Sequence, residues 1–319
     1  MTPIGGYFEL ELKNGEYSYH DTPYNFKSGR SALNNLFNYI KPSLVYVPYY
    51  TCNALLEPFE QMGIKYQFYE IDKNLEPKEL FELGEKEYFL YINYFDLKRD
   101  TVAVLSAKYK DRLIVDCTQA FFMKGNNISW FFNSCRKFFG VPDGAYLYIP
   151  DGITIGVPEK YNEDYILGHL IKRFNGHPSE GYTDFLENEK LAGIGIEKMS
   201  MISRYLLSNV DYLEVIKLRR NNFEYLHSRF NGLNRISIFA NTESVPMCYP
   251  LLLDKKANKH LLASKGIFIP SFWNDTLYRT IGFHLEKSLT EHLLPLPIDH
   301  RYNEANLKNM ANNILNILN

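Results

Sequence analysis

Short apolar runs alternate with helical patterns through the first half of the chain, and this alternation restricts the fold more than any other feature. Leu44–Pro48, Tyr66–Tyr69, Tyr88–Phe95 and Leu113–Val115 are rich in β-branched and aromatic residues and too short for helices. Between them lie helical patterns. Leu33, Leu36, Phe37 and Ile40 stand at i, i+3, i+4 and i+7, Asn53–Met62 reads as a second helix, and a third is expected near Pro77–Leu83. Strand and helix in turn with short links predict an α/β fold with a mostly parallel central sheet. In such sheets ligands gather beyond the carboxyl ends of the strands. Gly29, Pro48, Asn93, Asp116 and Lys137 all fall just after a predicted strand or at a helix start.

At 319 residues the chain is long enough for two domains at about 150 residues each. The character changes after Ile149, and the expected division is 1–205 for the large α/β domain and 206–319 for a small α+β domain. A formal charge of −2 leaves no basic field for nucleic acid or an anionic membrane. No run of 18 apolar residues occurs, and the start lacks a basic stretch followed by an apolar one. Cys52, Cys117, Cys135 and Cys248 lack CxxC spacing, which argues for reduced thiols rather than a disulfide frame or a metal site. A cytoplasmic protein is the expectation.

The chemistry concentrates between Arg112 and Ala145. The strand Leu113-Ile114-Val115 ends in Asp116. Lys137 lies 21 positions on, between the aromatic run Trp130-Phe131-Phe132 and the turn Gly140-Val141-Pro142-Asp143-Gly144. Alone, an aspartate at a strand end is a turn former and a loop lysine is solvated surface. Together they suit pyridoxal 5′-phosphate (PLP), which needs a lysine for its Schiff base and an acid against its pyridinium nitrogen.

Asp116-x-x-Gln119-Ala120, then Ser134-x-x-Lys137, then Gly140-x-x-Asp143-Gly144 resembles the DegT/StrS sugar aminotransferases, PLP enzymes of fold type I. The resemblance implies Lys137 as the Schiff-base lysine and proton shuttle, Asp116 on the ring nitrogen and Gln119 on the phenolic oxygen. It also implies Ser134 on the phosphate. Ser28-Gly29-Arg30-Ser31 opens a helix, whose free N–H groups can hold a phosphate, and resembles the family's phosphate cradle. Arg30 stands where threonine is common, which implies a main-chain contact there. Tyr49-Tyr50-Thr51-Cys52 resembles the segment whose aromatic residue stacks on the cofactor ring. Here Cys52 takes that place, so either Tyr49 or Tyr50 stacks, or something smaller covers the ring. Asn93 could reach the cofactor face or satisfy its own turn.

Further segments carry weaker expectations. Gly5–Glu9 reads as a lead into a short alternating strand. Arg173–Tyr182 reads as a long polar loop, either surface or reaching a neighbouring subunit, with Asn175, His177 and Tyr182 as candidates. Glu187–Arg229 is mostly helical. Pro246–Leu252 and Gly266–Pro270 read as short strands, with a helix over Asn258–Lys265 between them and a final helix at Leu307–Leu318.

By resemblance, the function is transfer of an amino group from an amino acid, glutamate by expectation, to a keto-sugar nucleotide by a homodimer. The competing readings are elimination or dehydration on the same scaffold, a regulatory relative without catalysis, and an unrelated α/β binding protein. Dehydrating members tend to lack the lysine, and Lys137 is present.

Overall fold

The computed structural model describes residues 4–15, 17–238, 241–279 and 282–318. Among these, seven strands form one sheet: β1 (Asn25–Phe26), β2 (Leu44–Pro48), β3 (Tyr66–Tyr69), β4 (Glu87–Ile92), β5 (Leu113–Cys117), β6 (Trp130–Asn133) and β7 (Ala145–Tyr148). Their order is β1-β7-β6-β5-β4-β2-β3. Neighbours from β3 across to β6 are parallel, whereas β7 is antiparallel to both β6 and β1. The chain steps from β2 outward to β3, then returns so that β4 pairs with the other side of β2. Such a reversal opens a crevice at the carboxyl ends.

Helices α1 (Gly29–Ile40), α2 (Asn53–Met62) and α3 (Arg99–Tyr109) connect these strands. Each residue of β5 is buried, as expected of a central strand covered on both faces. Ile92 pairs with Asp116 and Asp116 with Phe132, so three strand ends lie side by side under the site.

The second half comprises α4 (Gly168–Phe174), α5 (Tyr182–Leu191), α6 (Met201–Ser208), α7 (Tyr212–Phe230), β8 (Cys248–Leu252), α8 (Lys259–Ala263), α9 (His284–His292), β9 (Leu293–Pro297) and α10 (Glu304–Leu318). β8 and β9 form an antiparallel pair, with α7 against β8 and α10 against α7. Their apolar faces join the core of the large sheet without a break. The expected division at 205/206 falls inside α6.

Several local expectations fail for physical reasons. Pro77–Leu83 is not a helix. Instead Lys78 N–H donates to Glu70 O, and Phe81 stacks on Tyr46 at 4.3 Å, which ties the strap to the sheet. Gly266–Pro270 forms no strand; Ile267 and Ile269 are buried and Phe268 is exposed, so the alternation is real but has no ladder partner. Gly5–Glu9 likewise forms no strand. Arg173–Tyr182 is the turn of a helical hairpin, because α4 ends at Phe174 and α5 begins at Tyr182. β9 is a strand despite Pro295 and Pro297, residues that lack ladder donors and are tolerated only at sheet edges.

Candidate active site

α1 begins one residue after Ser28, whose Oγ accepts from Ser31 N–H at 3.1 Å and donates to Ala192 O at 2.6 Å. That cap leaves the Gly29 and Arg30 N–H groups at the helix start without a partner among the described residues, where the helix dipole is positive. The preceding residue locks this corner to the lysine turn: Lys27 O accepts from Gly144 N–H at 2.7 Å. Gly29 is closely surrounded. A Cβ there would stand 3.2 Å from Asn133 O and 3.4 Å from side chains of Phe132 and Thr118.

Lys137 ends a 3-10 turn over Cys135–Lys137, directly after β6. The turn is held by Cys135 N–H to Gly144 O, and Gly144 adopts φ 123°, a conformation that favours glycine. Asp143 does not face a ligand. It accepts from Ser200 N–H at 2.8 Å, Ser200 Oγ at 2.6 Å, Asn162 Nδ2 at 2.9 Å and Ser203 Oγ, and so anchors α6 beneath the turn.

A cleft of about 470 Å³ opens over these elements. Its floor holds Asp116, Thr118, Gln119, Ser134 and Lys137, with Gly29 and Cys52 at its margin. Thr118 joins two of the key groups. Its Oγ1 accepts from Lys137 Nζ at 3.0 Å, and its N–H donates to Asp116 Oδ1 at 2.7 Å. Gln119 is oriented by Phe95 N–H, which donates to Oε1 at 3.2 Å and leaves Nε2 as the donor available to a ligand. Phe95 and Asp96 hold φ near 60° in this turn. The strain is anchored because Asp96 is buried, forks with Arg99, and accepts from Val245 N–H at 2.8 Å.

Burial raises the pKa of Asp116, opposed by Lys137 and by hydrogen bonds from Thr118. The carboxylate has no ion pair among the described residues, so a cationic ligand ring would relieve a standing desolvation penalty. Burial likewise raises the Cys52 thiol, with Lys137 opposing, which makes Cys52 an ordinary thiol rather than a nucleophile.

Gly29, Arg30, Cys52, Asp116, Gln119, Ser134 and Lys137 meet in one cleft; Asn93 and Ser31 are not among its lining residues. Asn93 satisfies its own turn, donating to Asp96 Oδ1 at 3.1 Å and accepting from Lys98 N–H at 3.0 Å. Ser31 Oγ is buried without a partner, and its N–H is taken by the Ser28 cap. The Arg30 guanidinium is committed to Glu57 Oε2 and Glu189 O, both at 2.6 Å. Neither tyrosine replaces the missing aromatic. Tyr49 is buried against Phe283 at 3.9 Å, and Tyr50 is buried against Trp273 at 4.5 Å. The aromatic residues that line the cleft are Phe132, Phe272 and Trp273, the last two stacked at 5.9 Å. Asn175 and Tyr182 are exposed, as is His177, which pairs with Glu180.

Sequence patterns also left Thr118, Arg136, Glu189, Phe272 and Trp273 unmarked. Thr118 and Arg136 sit inside the quoted motifs at unspecified positions. The other three come from distant segments and carry no local signal.

No protein-family model matches the chain, and no curated protein sequence matches it. Solved structures do. The aminotransferase TlmJ from Streptoalloteichus hindustanus aligns with a TM-score of 0.65 at 13% identity over 92% of this chain and 85% of its own. A DegT DnrJ EryC1 StrS aminotransferase from Brucella abortus aligns at 0.63 and 14% over 92% and 85%. The GDP-4-keto-6-deoxy-D-mannose-3-dehydratase of E. coli, with bound hydrated PLP, aligns at 0.61 and 13% over 94% and 88%. At these identities the likeness is one of architecture, and by architecture this chain has the fold of the DegT/DnrJ/EryC1/StrS aminotransferases and their PLP-binding relatives.

Proposed function

We propose that the chain is a PLP-dependent aminotransferase that moves an amino group from an amino acid, glutamate as donor, to a keto-sugar nucleotide. One observation carries the reading: Thr118 ties Lys137 to Asp116 on the floor of a cleft that also exposes the unpaired N-terminal N–H groups of α1. The residues fit the cofactor. Gly29 and Arg30 N–H with Ser134 Oγ would hold the phosphate, Gln119 Nε2 would donate to the phenolic oxygen, and the buried Asp116 would hold the ring nitrogen's proton.

When bound, PLP supplies an electron sink for the carbanion at the amino acid's α-carbon. Lys137 would tether the cofactor and would carry the proton between the amino acid's α-carbon and the cofactor's C4′. Thr118 orients the Lys137 amine for that transfer by accepting its hydrogen bond. Phe272, Trp273, Pro295 and Pro297 form an apolar wall that excludes water from the reacting face.

The homodimer reading is supported by apolar exposure on the α4–α5 hairpin, where Phe174 is 92% and Tyr182 62% exposed. The cytoplasmic reading rests on the cysteines, all free. No helix among the described residues is long and apolar enough to cross a membrane. Elimination on the same scaffold is the second reading, and the retained Lys137 favours transfer.

The test is the visible absorption spectrum with PLP, followed by addition of glutamate. A lysine-dependent band that glutamate bleaches is expected. No band at saturating PLP would overturn the reading. A band bleached by other amino acids but not by glutamate would change only the donor.

A further inference from the structure

Behind Lys137, one carboxylate is shared by two arginines. Glu189, on α5, places Oε1 2.5 Å from Arg136 Nη1 and Oε2 3.7 Å from Arg30 Nη2. Both arginines and Glu189 line the cleft, beside the unpaired N–H groups that begin α1. Arg136 is largely buried, yet its Nε has no hydrogen-bond partner. A guanidinium has five N–H donors and matches a phosphate in forked geometry, so Arg136 is under-used as it stands. Burial pushes Glu189 up, but Arg136, Arg30 and Lys137 outweigh that and hold it below the usual carboxylate range, hence ionised.

A phosphate dianion entering this corner meets like charge on Glu189 and the cationic guanidinium of Arg136, whose Nη1 the carboxylate occupies. Both favour exchange of the carboxylate for the phosphate. The Glu189 carboxylate can move although its backbone is held. Asn188 pins the helix through Pro142 O at 2.7 Å and Ile166 N–H at 2.8 Å, and Arg30 Nη2 holds Glu189 O at 2.6 Å. The Glu189 side chain is about a third exposed, which leaves it room to change rotamer.

We propose that Arg136 is a phosphate receptor of this cleft and that Glu189 is a built-in competitor, its carboxylate displaced from Arg136 when a phosphate ester binds. The proposal rests on the PLP reading for the identity of the ester, not for the presence of a phosphate site. It also gives Arg136 a role that its place before the lysine does not reveal.

The competitor role has a distinctive sign. If Glu189 merely positioned Arg136, its removal would weaken phosphate binding; if it competes, removal strengthens it. Affinities would be measured for PLP, inorganic phosphate and pyridoxal, which lacks the phosphate, in wild type, Glu189→Gln, Arg136→Gln and the double variant. Melting curves would verify folding of each. Glu189→Gln should bind PLP and inorganic phosphate at least about fivefold more tightly, the low end of ordinary coupling between sites, with pyridoxal unchanged. Arg136→Gln should weaken both phosphates, and the double variant should match Arg136→Gln alone.

Weaker or unchanged phosphate binding in Glu189→Gln would overturn the proposal, as would an equal gain for pyridoxal. Should wild type give no visible band with PLP while Glu189→Gln still tightens inorganic phosphate, the aminotransferase reading fails and the phosphate receptor stands.

Discussion

Lys137 Nζ donates to Thr118 Oγ1 at 3.0 Å, and this hydrogen bond links the end of β6 to the end of β5. The two residues lie 19 positions apart in sequence. The Thr118 backbone N–H in turn holds the Asp116 carboxylate, so one small residue, through its hydroxyl and its main chain, links lysine and acid. Orientation of this kind is what makes a positioned amine effective.

Lys137→Ala should abolish the visible band with PLP and all amino transfer, because no other lysine occupies the cleft floor. The side chain is exposed, so stability should change by no more than about 0.5 kcal/mol. Absorption and thermal melting measured together check both halves. A persistent band would move the tether to another lysine.

Asp116→Asn should reduce turnover far more than it weakens cofactor binding, since the neutral amide cannot keep the ring nitrogen protonated. It should also stabilise the cofactor-free protein by about 1 kcal/mol, a common gain when a strained functional group is relieved. The sign follows from burial, which raises the folded pKa of Asp116 above 3.8. Ionisation then costs stability above that value, increasingly as pH rises through the folded pKa, and costs nothing below it. Melting temperatures of the two proteins should converge on acidification.

Gly29→Val should weaken PLP binding by about 1–3 kcal/mol, the usual effect of overpacking. The added carbons press on Asn133 O and Phe132 and push the lysine turn away from α1. Calorimetric titration with PLP checks it, and Gly63→Ala, in open space at a helix end, controls for backbone strain.

His20 gives a separate pH signature. It is buried among Phe121, Tyr146 and Tyr148, bonds Tyr148 OH at 2.8 Å and Asn133 Nδ2 at 3.1 Å, and burial lowers its pKa to about 3. Neutral imidazole is therefore the folded form. Its contribution is complete above pH 6.5 and is lost as pH falls from there toward 3, because only the unfolded chain takes up the proton. Urea unfolding of wild type and His20→Gln across that range should show a steeper pH slope in wild type. Equal slopes would remove His20 from the account.

The sequence alone determined the sheet's central strands and brought forward Asp116, Gln119 and Lys137 as candidates, which the fold then sets in one cleft. Short apolar runs such as Leu113–Val115 specify strands through local period, and the three candidates stand out through the family resemblance of the motif in one strand–loop–strand unit. Tertiary structure decided the rest. Phe272 and Trp273, more than 200 positions from Cys52, line the same cleft, and the committed guanidinium of Arg30 depends on Glu57 and Glu189. Asn93 reads equally as a ligand and as the keeper of its own turn until the fold closes Asp96 and Lys98 around it. Pro77–Leu83 and Gly266–Pro270 show the same limit, since ladder partners and packing surfaces belong to other parts of the chain. Local period encodes what a segment can form, whereas burial, charge pairing and the walls of a cleft come from contacts that exist only after folding.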